Sequence, residues 1–246
     1  MGISPGKLLL PLLAAGYTVL GCSPAEPPAP APTGSTPEAV ADDLEVTDDP
    51  APATMERPSP VSLEKEDCGQ YETQQDMNQC AARNYEISDG ELNQLYQKLN
   101  DSLSSSGQDS LTAVEEQWIG FRDGQCQLES QRYAGGSIAP LIRSSCLERI
   151  TDDRIATLAQ THQTDQSYAA IDARLNQVYQ DLRQTMDAAD QEALTEVQLD
   201  WLAYRDAHCE FEVQFATDDV SEDSCLADVT EIRVWQLESL QESWSL

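Results

Sequence analysis

Apolar residues recur at three- and four-residue spacing along most of the chain beyond residue 73. Between Glu91 and Leu103, for example, Leu92, Leu95, Tyr96 and Leu99 fall on one side of a helix. Comparable stripes follow at Leu111, Val114, Trp118 and Phe121; at Cys146, Ile150, Ile155 and Leu158; at Ile171, Leu175, Val178, Tyr179 and Leu182; at Leu194, Val197, Trp201 and Tyr204; and at Cys225, Val229, Ile232 and Leu237. The pattern does not require any strand, so we predict an all-α fold.

These stripes form two copies of one pattern. The phrase Tyr, three residues, Asp, two residues, Leu-Asn, two residues, Tyr begins at Tyr85 and again at Tyr168, eighty-three residues later. The same offset aligns Leu111 with Leu194, Trp118 with Trp201, Phe121 with Tyr204, Arg122-Asp123 with Arg205-Asp206, and Cys126 with Cys209. After a loop that is four residues shorter in the second copy, Cys146 aligns with Cys225, Arg154 with Arg233, and Leu158 with Leu237. So many matches at a fixed offset indicate an internal duplication.

Each copy is predicted to contain three helices, and a further helix near residues 73–85 precedes the first copy. Ser88 is placed to cap the following helix, with Glu91 three residues later completing a capping box. The loops "RYAGGSIAP" and "FATDDVSEDS" separate the second and third helices. We therefore predict two tandem modules of three to four helices each, over 68–160 and 161–246.

The N-terminal region has the features of a lipoprotein signal. Lys7 precedes an apolar run from Leu8 to Leu20, which is too short to span a bilayer and typical of a signal-peptide core. The following Gly21-Cys22 resembles a lipobox, which predicts removal of residues 1–21 and acylation of Cys22. The alternative is an ordinary secretory signal with a chance cysteine. Residues 22–67 are rich in Pro, Ala and acidic residues, which predicts a disordered tether.

Six cysteines remain after Cys22, an even number that in an exported chain favours three disulfides over catalysis. Fifteen pairings are possible for six cysteines. The duplication selects among them, because Cys126 and Cys146 occupy the places of Cys209 and Cys225. Each copy is thus predicted to close its own bridge, leaving Cys68 to pair with Cys80. No pair has the CxxC spacing of zinc or redox sites, so we predict no metal and no cofactor.

The charge of the chain limits its partners. Without Lys7 the exported chain has 13 basic and 44 acidic residues, since 14 − 1 = 13, and a net charge of 13 − 44 = −31. Nucleic acids and anionic lipid surfaces are poor partners for such a chain, whereas a basic protein is a good one. The alternative is that the acidity only maintains solubility or reflects life in high salt.

The polar residues of the repeated phrase are predicted to be structural. A buried arginine between helices needs a partner, so we expect Arg122 to pair with Asp89 across the helices, and Arg205 with Asp172. Adjacent residues point about a hundred degrees apart on a helix, which argues against pairing of Arg122 with Asp123. Trp118 and Trp201 lie on the apolar stripes and are predicted to be core residues. His162 and His208 have no nucleophile or metal partners in the sequence, and no catalytic residue is predicted.

The first copy carries a distinctive set of residues: Cys68, Met77-Asn78, Cys80-Ala81, Tyr85, Asp89, Leu92-Asn93, Tyr96, Gln117-Trp118, Arg122-Asp123, Cys126, Cys146-Leu147 and Arg154. With this set the first copy resembles the LprI-type lysozyme-inhibitor domain of bacterial envelope lipoproteins. The second copy is more divergent: it lacks counterparts of Cys68 and Cys80 and has Leu199-Asp200 before Trp201. The resemblance implies a non-catalytic envelope protein, anchored at Cys22, that inhibits a basic c-type lysozyme. Ser23 after the anchor favours the outer membrane if the source has two membranes.

The loops inside the disulfide clamps are the predicted contact regions. Their candidate residues are Tyr133 and Ser137 in the first copy and Asp218, Asp219, Glu222 and Asp223 in the second. The acidic residues of the second loop would equally fit a solvated loop without a partner. Two other functions stay open: an envelope adaptor that binds another surface protein or itself, and, with little support, a hydrolase or metal-dependent enzyme. The oligomeric state is not determined by the sequence.

Overall fold

A computed structural model describes residues 64–215 and 220–245. These residues form a 3-10 helix, Cys68–Gln70, and six α-helices, without a strand. The helices are α1 Gln74–Ser102, α2 Ser105–Gln131, α3 Ala139–Leu158, α4 Tyr168–Thr185, α5 Ala188–Phe215 and α6 Glu222–Trp244. The predicted all-α class is confirmed. The signal peptide, Cys22 and residues 22–63 of the tether lie outside the described residues.

Helix α1 is longer than the sequence indicated, because the two predicted helices of this region are one. It begins after Thr73, whose side chain accepts a hydrogen bond from the Asp76 backbone N–H. Ser88 lies in the middle of α1 and is fully buried, and its hydroxyl donates to Asp152 of α3 at 2.8 Å. The prediction of Ser88 as a cap was therefore wrong. A serine inside an apolar pattern resembles a cap in sequence, but here a carboxylate on a neighbouring helix satisfies it.

The folded region also begins earlier than predicted, within the last residues of the tether. The Lys65 ammonium lies 2.6 Å from the Asp152 carboxylate, and the backbone N–H of Glu66 donates to Asn84 Oδ1 at 3.0 Å. The Asn84 amide donates back to the Glu66 carbonyl at 2.9 Å. These contacts attach residues 65 and 66 to α1 and α3.

All three predicted disulfides are present and confirm the pairing inferred from the duplication. They are Cys68–Cys80, Cys126–Cys146 and Cys209–Cys225. The last two join the end of the second helix of each copy to the start of the third, so each closes the loop between them.

The two copies pack together through their second helices. Helices α2 and α5 are antiparallel, since Gln131 at the end of α2 donates to Asp190 at the start of α5 at 3.2 Å, while Gly107 near the start of α2 lies beside Phe215. Near the middle, the equivalent residues Phe121 and Tyr204 stack with ring centroids 6.1 Å apart. A helix of 27 residues is about 40 Å long. The two disulfide-closed loops therefore lie at opposite ends of the α2–α5 pair.

Two equivalent arginines are buried in this shared core with different partners. Arg154 of α3 meets the Glu115 carboxylate and donates to the Tyr204 hydroxyl at 3.0 Å. Arg233 of α6 instead has three amide oxygens as acceptors among the described residues, those of Gln125, Gln198 and Gln236, at 3.0 to 3.2 Å. Burial acts to lower the pKa of Arg154, yet the Glu115 carboxylate raises it above its ordinary value. Burial lowers the pKa of Arg233 to about 9.

Candidate functional site

The repeated phrase forms the same side-chain cluster in each copy. In the first copy the guanidinium carbon of Arg122 lies 4.9 Å from the ring centroid of Trp118 on the same helix and 6.0 Å from that of Tyr85 on α1. Its Nε and Nη2 atoms both lie 2.9 Å from Asp123 Oδ1. In the second copy Arg205 repeats this arrangement with Trp201 at 5.1 Å and Tyr168 at 5.8 Å.

The predictions that Arg122 pairs with Asp89 and that Arg205 pairs with Asp172 were wrong. Arg122 and Arg205 bind the adjacent Asp123 and Asp206 instead, the latter with Nε 2.8 Å from Oδ1. An arginine side chain is long and flexible, so it bends back to a neighbour whose Cβ points elsewhere. The carboxylates that were expected to receive these arginines accept hydrogen bonds from an asparagine one turn later. These bonds join Asn93 to Asp89 at 2.9 Å and Asn176 to Asp172 at 3.1 Å.

Side chains of the repeated phrase therefore connect the first helix of each copy to the second helix of that copy. The final tyrosine of the phrase adds a further link, from Tyr96 to Thr112 at 3.0 Å in the first copy and from Tyr179 to Thr195 at 3.1 Å in the second. Trp118 and Trp201 are each 2 % exposed, which confirms their prediction as core residues. This duplicated cluster therefore connects the same two helices in each copy.

The first disulfide-closed loop is exposed and contains several backbone hydrogen bonds. The backbone N–H of Tyr133 donates to Ser130 at 3.0 Å, that of Gly136 donates to Tyr133 at 2.9 Å, and Asn78 of α1 donates to the Ser137 carbonyl at 3.0 Å. Gly135 has φ of 80°, a conformation that side chains with a Cβ rarely adopt. Tyr133 is half-buried at the base of the loop, and Ser137 is exposed. The loop is thus exposed, with hydrogen bonds within it and one to α1.

A pocket of about 250 Å³ lies beside this loop. On one side Arg149 Nη2 lies 2.7 Å from Glu129 Oε1. On the other, Arg132 lies over the ring of Trp244 at 4.3 Å and donates to the Ser243 carbonyl at 2.9 Å. The end of α6 from the second copy therefore forms one wall of a pocket in the first.

The second disulfide-closed loop differs from its prediction. Asp218 and Asp219 lie outside the described residues. Glu222 and Asp223 are not in the loop but in the first turn of α6, where Ser221 accepts from the Ser224 N–H at 3.1 Å. Both are exposed, and carboxylates at this place stabilise the positive end of the helix dipole. The physical reason for the early helix start is the Ser221 cap.

Beneath the second disulfide lies a cavity of about 310 Å³, which sequence reasoning did not predict. His162 and His208, the chain's two histidines, both line it, together with Glu212 and Asp228. His162 Nε2 is 3.1 Å from Glu231 Oε2, and Gln160 donates to Glu212 Oε2 at 2.7 Å. The histidines are far apart in sequence and nothing in their spacing indicated a shared cavity.

The described residues contain no group of three or more metal-ligating side chains that could hold an ion. Of the helices in the part of the chain that the structure describes, none is long and apolar enough to cross a membrane.

Comparison with known proteins agrees with this duplicated architecture. An uncharacterized protein of Rhizobium meliloti (strain 1021) is 32 % identical over 123 residues, which cover 45 % of this chain and 84 % of that protein. The crystal structure of an uncharacterized protein from Burkholderia thailandensis superposes with a TM-score of 0.54 at 17 % identity, covering 71 % of this chain and 92 % of the other, and supports the fold alone. The family model for the lysozyme inhibitor LprI matches residues 65–158 and, separately, residues 159–237. The chain therefore belongs to the LprI lysozyme inhibitor family, with two copies of the family domain in tandem.

Proposed function

We propose that this protein is a cell-envelope lipoprotein, anchored through Cys22, that binds a basic c-type lysozyme and inhibits it without catalysis. The observation that carries the proposal is the match of both copies to a family of lysozyme inhibitors. The apolar signal before Cys22 and the three disulfides support export, because disulfides persist in oxidising compartments.

The charge of the chain supports a basic partner. With 44 acidic residues against 14 basic ones, the protein attracts a positively charged enzyme over distances of about the Debye length, about 8 Å at physiological salt. Lysozyme depends on two carboxyl groups in an open cleft. A projection that enters or covers that cleft is sufficient for inhibition.

The antiparallel packing of α2 and α5 restricts how one lysozyme can be bound. Because the two disulfide-closed loops lie at opposite ends, we expect a single lysozyme to contact one of them and not both. The first end offers the exposed loop with Tyr133 and Ser137. The second end offers the exposed carboxylates of Glu222 and Asp223, and Asp218 and Asp219 remain predicted contacts there.

The test is a cell-wall clearing assay with c-type lysozyme and the full-length chain carrying Cys22→Ser. We expect inhibition at micromolar protein that weakens as salt increases, since the attraction is screened. Absence of inhibition at low salt would refute the proposal.

Two variants then distinguish the ends. Ser137→Trp enlarges the first loop, and Glu222→Gln with Asp223→Asn removes two charges from the second end. Glu86→Gln with Glu116→Gln is the matched control, because it removes two charges from exposed positions in the middle of α1 and α2. The end whose variant loses inhibition, while the control retains it, is the end that contacts lysozyme.

An envelope adaptor is the second candidate, and the opposite placement of the two loops favours it. A molecule with separate contact regions at each end is suited to joining two partners. If the protein is an adaptor, we expect a pull-down to recover a specific envelope protein, and we expect the chain to leave lysozyme activity unchanged.

A further inference from the structure

The first end of the molecule, where α2 ends and α3 begins, carries arginines although the chain as a whole has a net charge of −30. Arg132 is the residue that follows the last turn of α2, and Arg143 lies in the second turn of α3. Among residues 64–215 and 220–245, neither side chain has a carboxylate within ion-pair distance; their hydrogen-bond acceptors are a carbonyl and an amide oxygen. Two positive charges at this end are therefore not neutralised by an ion pair.

Two carboxylates at the same end already have partners within the chain. Glu129 pairs with Arg149 at 2.7 Å, and Asp190 accepts a hydrogen bond from Gln131 at 3.2 Å. These contacts leave the guanidinium of Arg132 available to a carboxylate from outside the chain.

The guanidinium of Arg132 is supported by aromatic rings and keeps unused donors. It lies 4.3 Å from the ring centroid of Trp244 and 5.9 Å from that of Tyr133. Its Nη1 atom donates to the Ser243 carbonyl at 2.9 Å, which is one of the five N–H donors of a guanidinium. Arg132 is exposed, and a planar guanidinium suits a carboxylate because two of its N–H groups can bind both oxygens.

The loop that follows Arg132 has the shape that a narrow cleft can receive. Its residues 134–137 have the sequence Ala-Gly-Gly-Ser, and all four are exposed. Small side chains allow the backbone to approach another surface closely. The loop and the arginine beside it form one exposed element.

The second end of the molecule has no equivalent of these arginines. The offset of 83 residues places Phe215 at the position of Arg132. The offset of 79 residues that holds after the loop places Glu222 at the position of Arg143. The two ends therefore differ in the sign of charge that they offer to a partner.

We propose that the first end enters the cleft of lysozyme, and that Arg132, assisted by Arg143, binds the carboxyl groups on which the enzyme depends. The inference rests on the proposed function and names the contact that it requires. The acidic chain attracts the basic enzyme from a distance, whereas the cleft is the place where the enzyme itself presents two carboxyl groups. Arginines at the entering end complement that local charge and determine which end binds.

The sign of the expected effect separates this contact from general attraction. Replacing an arginine by glutamine makes the acidic chain more negative by one charge, so general attraction to a basic enzyme should increase slightly. A direct contact with the cleft carboxyl groups predicts the opposite, because it loses a charge-assisted hydrogen-bonded pair.

The test measures inhibition of a c-type lysozyme by the full-length chain carrying Cys22→Ser. We expect Arg132→Gln to raise the inhibition constant by about tenfold or more, and Arg143→Gln to raise it by a smaller factor. Lys98→Gln is the matched control. It removes one positive charge from an exposed position near the end of α1, and the start of that helix is the part that contacts the first loop. The control should inhibit as the unsubstituted chain does, and equal melting temperatures show that the variants are folded.

Two binding measurements by isothermal titration calorimetry place the contact in the cleft. A chito-oligosaccharide that fills the cleft should compete with the chain for lysozyme. With a lysozyme in which one cleft carboxyl group is replaced by its amide, Arg132→Gln should cost less affinity than it does with the native enzyme. Binding that the oligosaccharide does not reduce, or an equal loss with both enzymes, would overturn the assignment.

The results also separate this inference from the proposed function. Absence of inhibition by the unsubstituted chain would overturn both. Inhibition by the unsubstituted chain that Arg132→Gln and Arg143→Gln leave unchanged would overturn this inference alone. Loss of inhibition in Arg132→Gln together with competition by the oligosaccharide supports it.

Discussion

Replacing Glu115 by glutamine tests how the buried Arg154 is tolerated. The Arg154 side chain is 0 % exposed, and its Nε atom donates to Glu115 Oε1 at 3.0 Å. Glutamine keeps the size of the side chain and an acceptor oxygen at the same place. Glu115→Gln therefore removes the negative charge and little else, and leaves a buried cation without its carboxylate.

The size of the effect follows from the geometry. Two unit charges about 3 Å apart attract by about 5 kcal/mol at an effective dielectric constant of about 20. Loss of one partner from a buried pair typically destabilises by about 3–5 kcal/mol. Glu115 is partly exposed, and glutamine retains the hydrogen bond, so we expect a loss of about 3 kcal/mol in the free energy of unfolding. For a chain of this size that corresponds to a decrease of about 10 °C in melting temperature.

The assay is urea unfolding followed by circular dichroism, with Glu116→Gln as the control. Glu116 is the next residue, is exposed, and undergoes the same chemical change, so we expect its effect to be within about 0.5 kcal/mol of zero. Equal stability of the Glu115→Gln, Glu116→Gln and unsubstituted chains would refute the inference that this carboxylate stabilises Arg154.

Three further predictions test other parts of the fold. Replacing Cys126 and Cys146 by alanine opens a bridge with a sequence separation of 20 and should lower the free energy of unfolding, measured in urea, by roughly 3 kcal/mol. Burial raises the pKa of Asp153, so the folded state loses stability as the pH rises through that pKa; Asp153→Asn should therefore be more stable than the unsubstituted chain at pH 7 but not at pH 3. A double-mutant cycle between Tyr85→Leu and Arg122→Met should give a coupling of about 0.5–1 kcal/mol, the value for a cation over an aromatic ring, and zero coupling would contradict that contact.

The helices and disulfides could be predicted because each rests on a repeated signal. Three- and four-residue periodicity reports the buried side of a helix directly, and the duplication reduced fifteen disulfide pairings to the one observed. The predicted helix boundaries were less accurate than the predicted number and type of elements. The polar Ser88 in α1 was interpreted as a helix start, since a sequence does not reveal the carboxylate of Asp152 that accepts its hydrogen bond from another helix.

The partners of individual side chains were harder to predict than the helices, because a sequence does not reveal the contacts between one helix and another. The periodicity of apolar residues indicates which side of a helix a residue occupies. It does not indicate where the end of a long side chain lies. Arg122 lies on the expected side, yet its guanidinium bends back to Asp123 and packs on Trp118. The cavity that His162 and His208 share depends on how the linker after α3 crosses α6, and no local pattern encodes that crossing.

The duplication itself explains why the two ends of the molecule differ. Residues that join helices within a copy, such as the Arg122 and Arg205 clusters, make the same contacts in both copies. Residues beside the disulfides differ between the copies, and Arg149 in one copy stands where Asp228 stands in the other. Since antiparallel packing of α2 and α5 places these sites at opposite ends, their divergence changed the chemistry of each end separately.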